Sequence, residues 1–257
     1  MPWLRSGLRL TRLGGHIALG VLLAGTVAGH RAWDRRPRLA GLVSWWLRVV
    51  CRVLQVKVTV HGHPATSPVL FVCNHVSWLD IPVVGGVVPA RFVSKAEVRR
   101  WPLIGWLAAR AGTLFLRRAD RGAAQAAVLE MVWALRRGQN VVLFPEGTTT
   151  DGSVVRRFRP RMLEAALLAG TSVQPVALRF VDGDRPDPVV PFVGDDAFLP
   201  HLLRLSGRKT TRAEVTFLEP LAVRDTRGDA LAARCETLVR GVIEGSPAAR
   251  RAAAARG

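Results

Sequence analysis

The 257-residue sequence predicts an α/β domain, with a mixed central sheet flanked by helices, preceded by an N-terminal two-helix element. Three observations predict it. From Val56 onward, short β-rich runs are separated by helical stretches, the signature of a layered α/β domain. Apolar residues make up 49% of the chain and charged residues 22%, which is enough for a packed core and too apolar for a disordered basic tail. The first 60 residues carry ten basic side chains against the single acid Asp34, half of the net charge of +18. These shifts divide the chain into an N-terminal element at 1–55, the α/β domain at 56–245 and an alanine–arginine tail at 246–257, expected to be disordered.

In the N-terminal element, residues 13–29 are almost uncharged and as a helix would run roughly 25 Å, marginal for a full bilayer span. Arginines flank the stretch on both sides, so charge sets no orientation. The second stretch, Leu39–Leu54, places Trp45, Trp46, Arg48 and Arg52 among apolar residues. Tryptophan and arginine suit the headgroup level, where a ring or aliphatic stem is buried and the polar end stays wet. The expectation is a helix pair embedded in, or lying on, an anionic membrane face. A secretory signal peptide would need a small-residue cleavage site before a polar mature start, and none stands out.

Strands are expected at Val56–Val60, Val69–Cys73, Arg91–Ser94, Leu114–Arg117, Val141–Phe144, Val173–Phe180 and Glu214–Leu218. Helices are expected at Ala123–Arg137, with Val128, Met131, Val132 and Leu135 on one face and Gly138 as its stop, at Arg161–Ala169, and at Ala230–Ile243. Cys51, Cys73 and Cys235 are odd in number and widely spaced, which argues against a disulfide scaffold and for a reducing compartment. His61 and His63 have no further ligands nearby and read as a turn after a strand rather than a metal pair. A charge this large attracts anionic surfaces, phosphorylated ligands or nucleic acid, and composition alone does not choose among them.

Two constellations carry chemistry. The first is Asn74-His75-Val76-Ser77-Trp78-Leu79-Asp80. Within one helix His75 and Asp80 would point about 140° apart, so the pair must straddle a bend. A helix with Ser77 as its N-cap and Asp80 at the third position leaves His75 on the preceding turn, from which its ring can fold back to the carboxylate. An imidazole whose Nδ1 proton is held by a carboxylate keeps Nε2 free as a base. The bland alternative is a capping Asp80 beside a polar loop histidine. No Gly-x-Ser-x-Gly elbow occurs, and the apolar flanks of Cys73 mark a core thiol rather than a nucleophile.

The second constellation is Val141-Val142-Leu143-Phe144-Pro145-Glu146-Gly147-Thr148-Thr149-Thr150, a buried strand that breaks at proline and then presents a carboxylate, a glycine and hydroxyls. Strand ends of this kind are where open α/β sheets place ligands. Arg156, Arg157, Arg159 and Arg161 follow closely, a density suited either to phosphate oxygens or to a solvated edge.

Taken together, in this order and spacing, the two resemble the glycerolipid acyltransferase superfamily, the lysophosphatidate acyltransferases in particular. Asn74, His75 and Asp80 match its Asn-His-x4-Asp motif, and Phe144, Pro145, Glu146, Gly147 and Thr148 match its Phe-Pro-Glu-Gly-Thr motif. Between them Gly112, Phe115 and Arg118 match a further motif, with Arg117 where an Asp or Asn is common, and Val173-Gln174-Pro175-Val176 is similar to a fourth. The run Phe192-Val193-Gly194-Asp195-Asp196 is similar to a bacterial branch that also contains lyso-ornithine lipid acyltransferases.

The resemblance implies a single acyltransferase domain in which His75 acts as base and Asp80 orients it. It implies substrate-binding roles for Asn74, Ser77, Gly112, Arg118, Glu146, Gly147, Thr148 and Arg159, with Arg118, Glu146, Gly147 and Arg159 holding the acceptor. It further implies acyl-CoA or acyl-carrier-protein as the donor substrate, no metal or other cofactor, a lysophospholipid acceptor, and a place at the cytoplasmic face of the cell membrane. The leading expectation is conversion of 1-acyl-sn-glycerol 3-phosphate to phosphatidic acid, with lyso-ornithine lipid as the alternative acceptor. The stretch Trp101–Ala109 either lines an acyl tunnel, docks on lipid or packs as an ordinary helix. The rival of another class is a non-catalytic basic protein binding membranes or nucleic acid. Nucleic acid is not expected as a partner, since five of the eight tryptophans lie near the membrane element or the first motif.

Overall fold

Strands that are apolar on both faces need cover on both sides, and this requirement sets the architecture. The computed structural model describes residues 2–25, 38–116 and 121–245. Its strands are β1 (Val56–His61), β2 (Leu70–Cys73), β3 (Arg91–Lys95), β4 (Leu114–Leu116), β5 (Val141–Leu143), β6 (Val173–Asp182), β7 (Arg185–Pro186) and β8 (Thr211–Phe217). Its α-helices are α1 (Pro2–Gly25), α2 (Arg38–Val53), α3 (Asp80–Val87), α4 (Ile104–Arg110), α5 (Arg121–Arg136), α6 (Glu164–Ala169), α7 (Phe198–Gly207) and α8 (Gly228–Ile243). The strand order is β1-β8-β6-β2-β5-β3-β4, with β7 paired to β6. Strands β6, β2, β5, β3 and β4 run parallel, while β8 is antiparallel to β6 and carries β1 parallel to itself, so the sheet is mixed.

Period-two alternation splits the strand side chains between two cores. Leu70, Val72, Val141 and Leu143 join Val128, Met131 and Leu135 of α5 and Cys235 and Val239 of α8 on one face. Phe71, Cys73 and Val142 join Cys51 of α2, Val83 and Val84 of α3 and Leu202 and Leu205 of α7 on the other. The result is three layers, with helices on both sides of the sheet. Helix α5 buries the expected face and stops before Gly138, whose N–H donates to the Leu135 carbonyl.

The N-terminal pair is packed onto the second core rather than set apart from it. Leu13 of α1 and Val50, Cys51 and Leu54 at α2 are buried there. Helix α2 lies close on α3 because Gly86 has no side chain: a Cβ there would sit 3.3 Å from the Arg48 Cα. The Arg48 Nε also donates to the Gly86 carbonyl at 3.0 Å. Trp46, expected at the headgroup level, turns inward and stacks on His16 of α1 at 4.7 Å, whereas Trp45 is exposed.

Helix α1 contacts α2, α4 and α7. These helices and their flanks leave large apolar side chains on the outside: Trp3, Leu4, Leu8, Leu19 and Leu22 on α1, Leu42 and Trp45 on α2, Leu103 and Trp106 at α4, and Leu199 and Leu203 on α7. No helix among the described residues is long and apolar enough to cross a membrane. Helix α1 starts at Pro2, so the apolar stretch is extended backwards through the arginine-bearing turns, and its residues 26–29 lie outside the described residues. The tail at 246–257, Arg117 and Arg118 lie outside them as well.

Candidate active site

Strands β2 and β5 are neighbours with Val72 paired to Leu143, so the two chemical constellations leave the sheet side by side at its centre. Beyond β2 the backbone bends as required. The His75 Nδ1 lies 2.6 Å from Asp80 Oδ2. A carboxylate oxygen can only accept here, so Nδ1 carries the proton and Nε2 presents its lone pair. Asp80 is fully buried and also accepts the N–H groups of Val76 at 2.8 Å and Ser77 at 3.0 Å. The His75 side chain remains 22% exposed, so the base is open to a reactant while its partner is dry.

The helix boundary differs from the expectation. Asp80 is the first residue of α3, and the turn before it closes through Asp80 N–H to the Ser77 carbonyl at 3.1 Å. Ser77 therefore does not cap the helix; the Asp80 carboxylate reaches back to cap the preceding turn instead. Pro82 falls in the first turn of α3, where a missing N–H costs nothing.

Beyond β5, Phe144-Pro145-Glu146-Gly147 forms a tight turn closed by the Gly147 N–H to the Phe144 carbonyl at 3.2 Å. Pro145 stands at the second position, where its fixed φ fits, and Gly147 has φ +72°, a left-handed conformation that glycine adopts freely. The Phe144 ring stacks under the His75 imidazole at 4.2 Å and 18°. Glu146 is buried, with one carboxylate oxygen accepting the His75 N–H at 3.0 Å and the other the Arg156 N–H at 3.2 Å. Burial pushes its carboxyl up to about 7, reinforced by the nearby Asp80 charge and opposed by the two N–H donors and Arg156. Thr150 N–H donates to the His75 carbonyl at 2.9 Å, Phe192 N–H donates to the Val76 carbonyl at 3.0 Å, and the Thr149 hydroxyl donates to the Phe192 carbonyl. The Phe192 run thus ties one constellation to the other.

A cleft of about 510 Å³ opens beside this turn, lined by Glu146, Thr148, Arg156, Arg157, Phe158, Arg159 and Pro160. It gathers Glu146, Thr148 and Arg159 of the expected substrate-binding residues. Arg156 and Arg157 join them; their density was visible in the sequence, but of the clustered arginines only Arg159 was expected to bind substrate. Asn74, Ser77 and Gly112 do not line the cleft. Asn74 is buried, its amide donating to the Leu178 carbonyl at 2.9 Å and accepting the Leu178 N–H at 2.8 Å, so it clamps β2 to β6. The Ser77 hydroxyl is fully buried and finds no hydrogen-bond partner among the described residues. Gly112 ends the turn before β4, where its carbonyl accepts the buried Arg91 Nε at 2.7 Å, and it is not among the cleft-lining residues. Burial, with the Asp80 and Glu146 charges, holds the Cys73 thiol well above its ordinary range, as suits a core residue.

Trp78, within the first constellation, donates its indole N–H to His201 Nδ1 of α7 at 2.9 Å and meets Phe198 edge-on. Indole is only a donor, so this nitrogen of His201 is unprotonated, and burial with the Arg204 charge holds the ring's pKa below its ordinary value. Neither contact was readable from sequence, since α7 begins 18 residues after Phe180 amid proline, glycine and aspartate that read as loop.

A family model described as Acyltransferase matches residues 57–179. A lyso-ornithine lipid O-acyltransferase from Pseudomonas aeruginosa is 42% identical over 96% of this chain and 97% of its own length. Another of that name, from Rhodobacter capsulatus, is 38% identical over 93% of this chain and 91% of its own. A 1-acyl-sn-glycerol-3-phosphate acyltransferase from Neisseria meningitidis is 34% identical over 66% of this chain and 68% of its own. The crystal structure of the 1-acyl-sn-glycerophosphate acyltransferase PlsC from Thermotoga maritima shares the fold, with a TM-score of 0.68 and 22% identity over 94% of each chain. A histidine–aspartate pair beside a Pro-Glu-Gly turn, on a chain related along almost its whole length to such enzymes, places this protein in the glycerolipid acyltransferase superfamily.

Proposed function

We propose that the protein transfers a fatty acyl group from a thioester to the hydroxyl of a lysolipid, with lyso-ornithine lipid as the leading acceptor. The observation that carries the chemistry is the 2.6 Å contact between His75 Nδ1 and the buried Asp80, which leaves Nε2 as the nitrogen free to act as a base. His75 takes the acceptor's hydroxyl proton as the oxygen attacks the thioester carbonyl. The C–S bond then breaks, and the imidazolium returns the proton to the departing thiolate. No covalent enzyme intermediate is required. Asp80 holds the reactive tautomer and stabilises the imidazolium.

The whole-length relatives favour the ornithine acceptor over the leading expectation from sequence, 1-acyl-sn-glycerol 3-phosphate. That second reading keeps support from the arginine cleft, whose forked donors match a phosphate as well as they match the ornithine carboxylate. Acyl-CoA and acyl-carrier-protein are both acidic donors and both suit a chain of net charge +18. The outward apolar helix faces favour docking on an anionic membrane, where acceptor and product reside.

The test offers both acceptors side by side to purified protein, with either donor. Product is expected from lyso-ornithine lipid, and His75→Ala is expected to lower kcat by about 10²–10⁴-fold. Unchanged turnover in His75→Ala would remove the base. Reaction with 1-acyl-sn-glycerol 3-phosphate alone would exchange the order of the two acceptors.

A further inference from the structure

The cleft arginines stand on residues 155–159, a strap that belongs to no helix or strand. Backbone of this kind must find partners for its N–H groups outside the regular ladders. Here most of them are carboxylates. Val155 N–H donates to Glu244 Oε1 at 2.9 Å, Arg156 N–H to Glu146 Oε2 at 3.2 Å, and Phe158 N–H to Glu236 Oε2 at 2.8 Å. Arg159 N–H donates to the Pro145 carbonyl at 3.1 Å, and the Val155 carbonyl accepts Arg240 Nη2 at 2.8 Å. Val155 and Phe158 bury their side chains in the core, while Arg156, Arg157 and Arg159 are exposed. Glu236, Arg240 and Glu244 follow one another at four-residue spacing on and just beyond α8, and Arg240 pairs with both acids, at 2.9 and 3.4 Å.

We infer that Glu236 and Glu244 are positioning residues for anion recognition: they hold the backbone from which Arg156, Arg157 and Arg159 reach the acceptor's anionic group. The inference rests on the cleft being the acceptor site proposed above. Each arginine loses about 2 kcal/mol of rotamer freedom when it is ordered, and a loose backbone beneath it would add to the cost of binding. A strap fixed from behind removes that addition. Neither glutamate touches His75 or Asp80, and both lie beyond residues 57–179, the span of the family match. Their loss therefore acts on acceptor binding and leaves the chemical step alone.

The experiment measures KM and kcat for lyso-ornithine lipid and for 1-acyl-sn-glycerol 3-phosphate at saturating donor, with thermal unfolding as a control for folding. Glu236→Ala and Glu244→Ala are each expected to raise acceptor KM by about tenfold with kcat within twofold, the pattern of lost binding that is uniform along the reaction. Glu236→Gln, which keeps an oxygen for the Phe158 N–H, is expected to hold KM near the parent value. Glu244 is the more exposed of the two, so Glu244→Ala decides the matter if Glu236→Ala does not fold. An unchanged KM in a folded alanine variant, or a fall in kcat with KM unmoved, overturns the inference. Arg156→Ala and Arg159→Ala separate the two levels. If they raise acceptor KM while the glutamate variants do not, only the strap's role falls; if they leave KM unchanged, the cleft assignment falls and takes the strap with it.

Discussion

Glu146 is buried, and its two carboxylate oxygens accept the backbone N–H groups of His75 and Arg156. Its carboxyl is raised from the ordinary value of 4.5 to about 7, so between those pH values the folded protein holds a proton that the unfolded chain has released. Folding stability should then fall as pH rises through that window, by up to about 3 kcal/mol, and level off above it. Thermal unfolding from pH 4 to 8 checks this: the slope across the window should be present in the parent and absent in Glu146→Gln. An equal slope in both would assign the dependence to another group. The His75–Asp80 pair was legible because a five-residue spacing permits contact only across a bend. The clamp made by Asn74 was not, since a motif records which residue types stand together and not whether an amide faces a ligand or the backbone of Leu178.

Among the elements, α7 had the weakest sequence signal. Pro200 near its start and Asp195-Asp196 before it read as loop, and its helical face shows only once Leu202 and Leu205 are seen buried beside His201. Its carboxyl end is held by α1. Arg9 donates to the carbonyls of Ser206 at 3.0 Å, Lys209 at 3.1 Å and Arg208, and Arg5 Nε donates to Gly207 at 3.3 Å. A guanidinium here satisfies orphan carbonyls and meets the negative end of the helix dipole. Arg9→Met should cost about 2 kcal/mol, as expected for hydrogen bonds to a charged group. Hydrogen exchange should quicken over residues 198–209, with the rest of the sheet unaffected. Unaltered exchange there would mean that packing alone holds α7. The central strands were legible within a residue or two, because buried parallel strands are continuous apolar runs between turn residues.

For the molecule as a whole, the layered class could be read from alternation, but strand order could not. Nothing local in Val56–His61 says that it pairs with Thr211–Phe217, residues that follow by some 150 positions. The outward apolar faces of α1, α2, α4 and α7 belong to this scale as well, since only the assembled fold brings Leu8, Leu22, Trp45 and Leu203 to the surface as neighbouring helices. If they seat on lipid as proposed, the protein should sediment with vesicles containing anionic phospholipid. The paired change Leu8→Ser and Leu22→Ser should weaken that partition by tenfold or more, at about 1.5–3 kcal/mol for each leucine fully buried in hydrocarbon. Equal sedimentation of parent and variant would locate the contact elsewhere.

The adjacency of β2 and β5 has a consequence for how this chain can be re-engineered. His75 and Glu146 are 71 positions apart, yet their distance in space is set by the pairing of Val72 with Leu143. Extra residues spliced into the intervening connections outside the His75–Asp80 bend should leave turnover intact. A one-place slip of either ribbon would shift its tip by about 3.3 Å and turn its side chains to the opposite face, parting the imidazole from its aromatic platform.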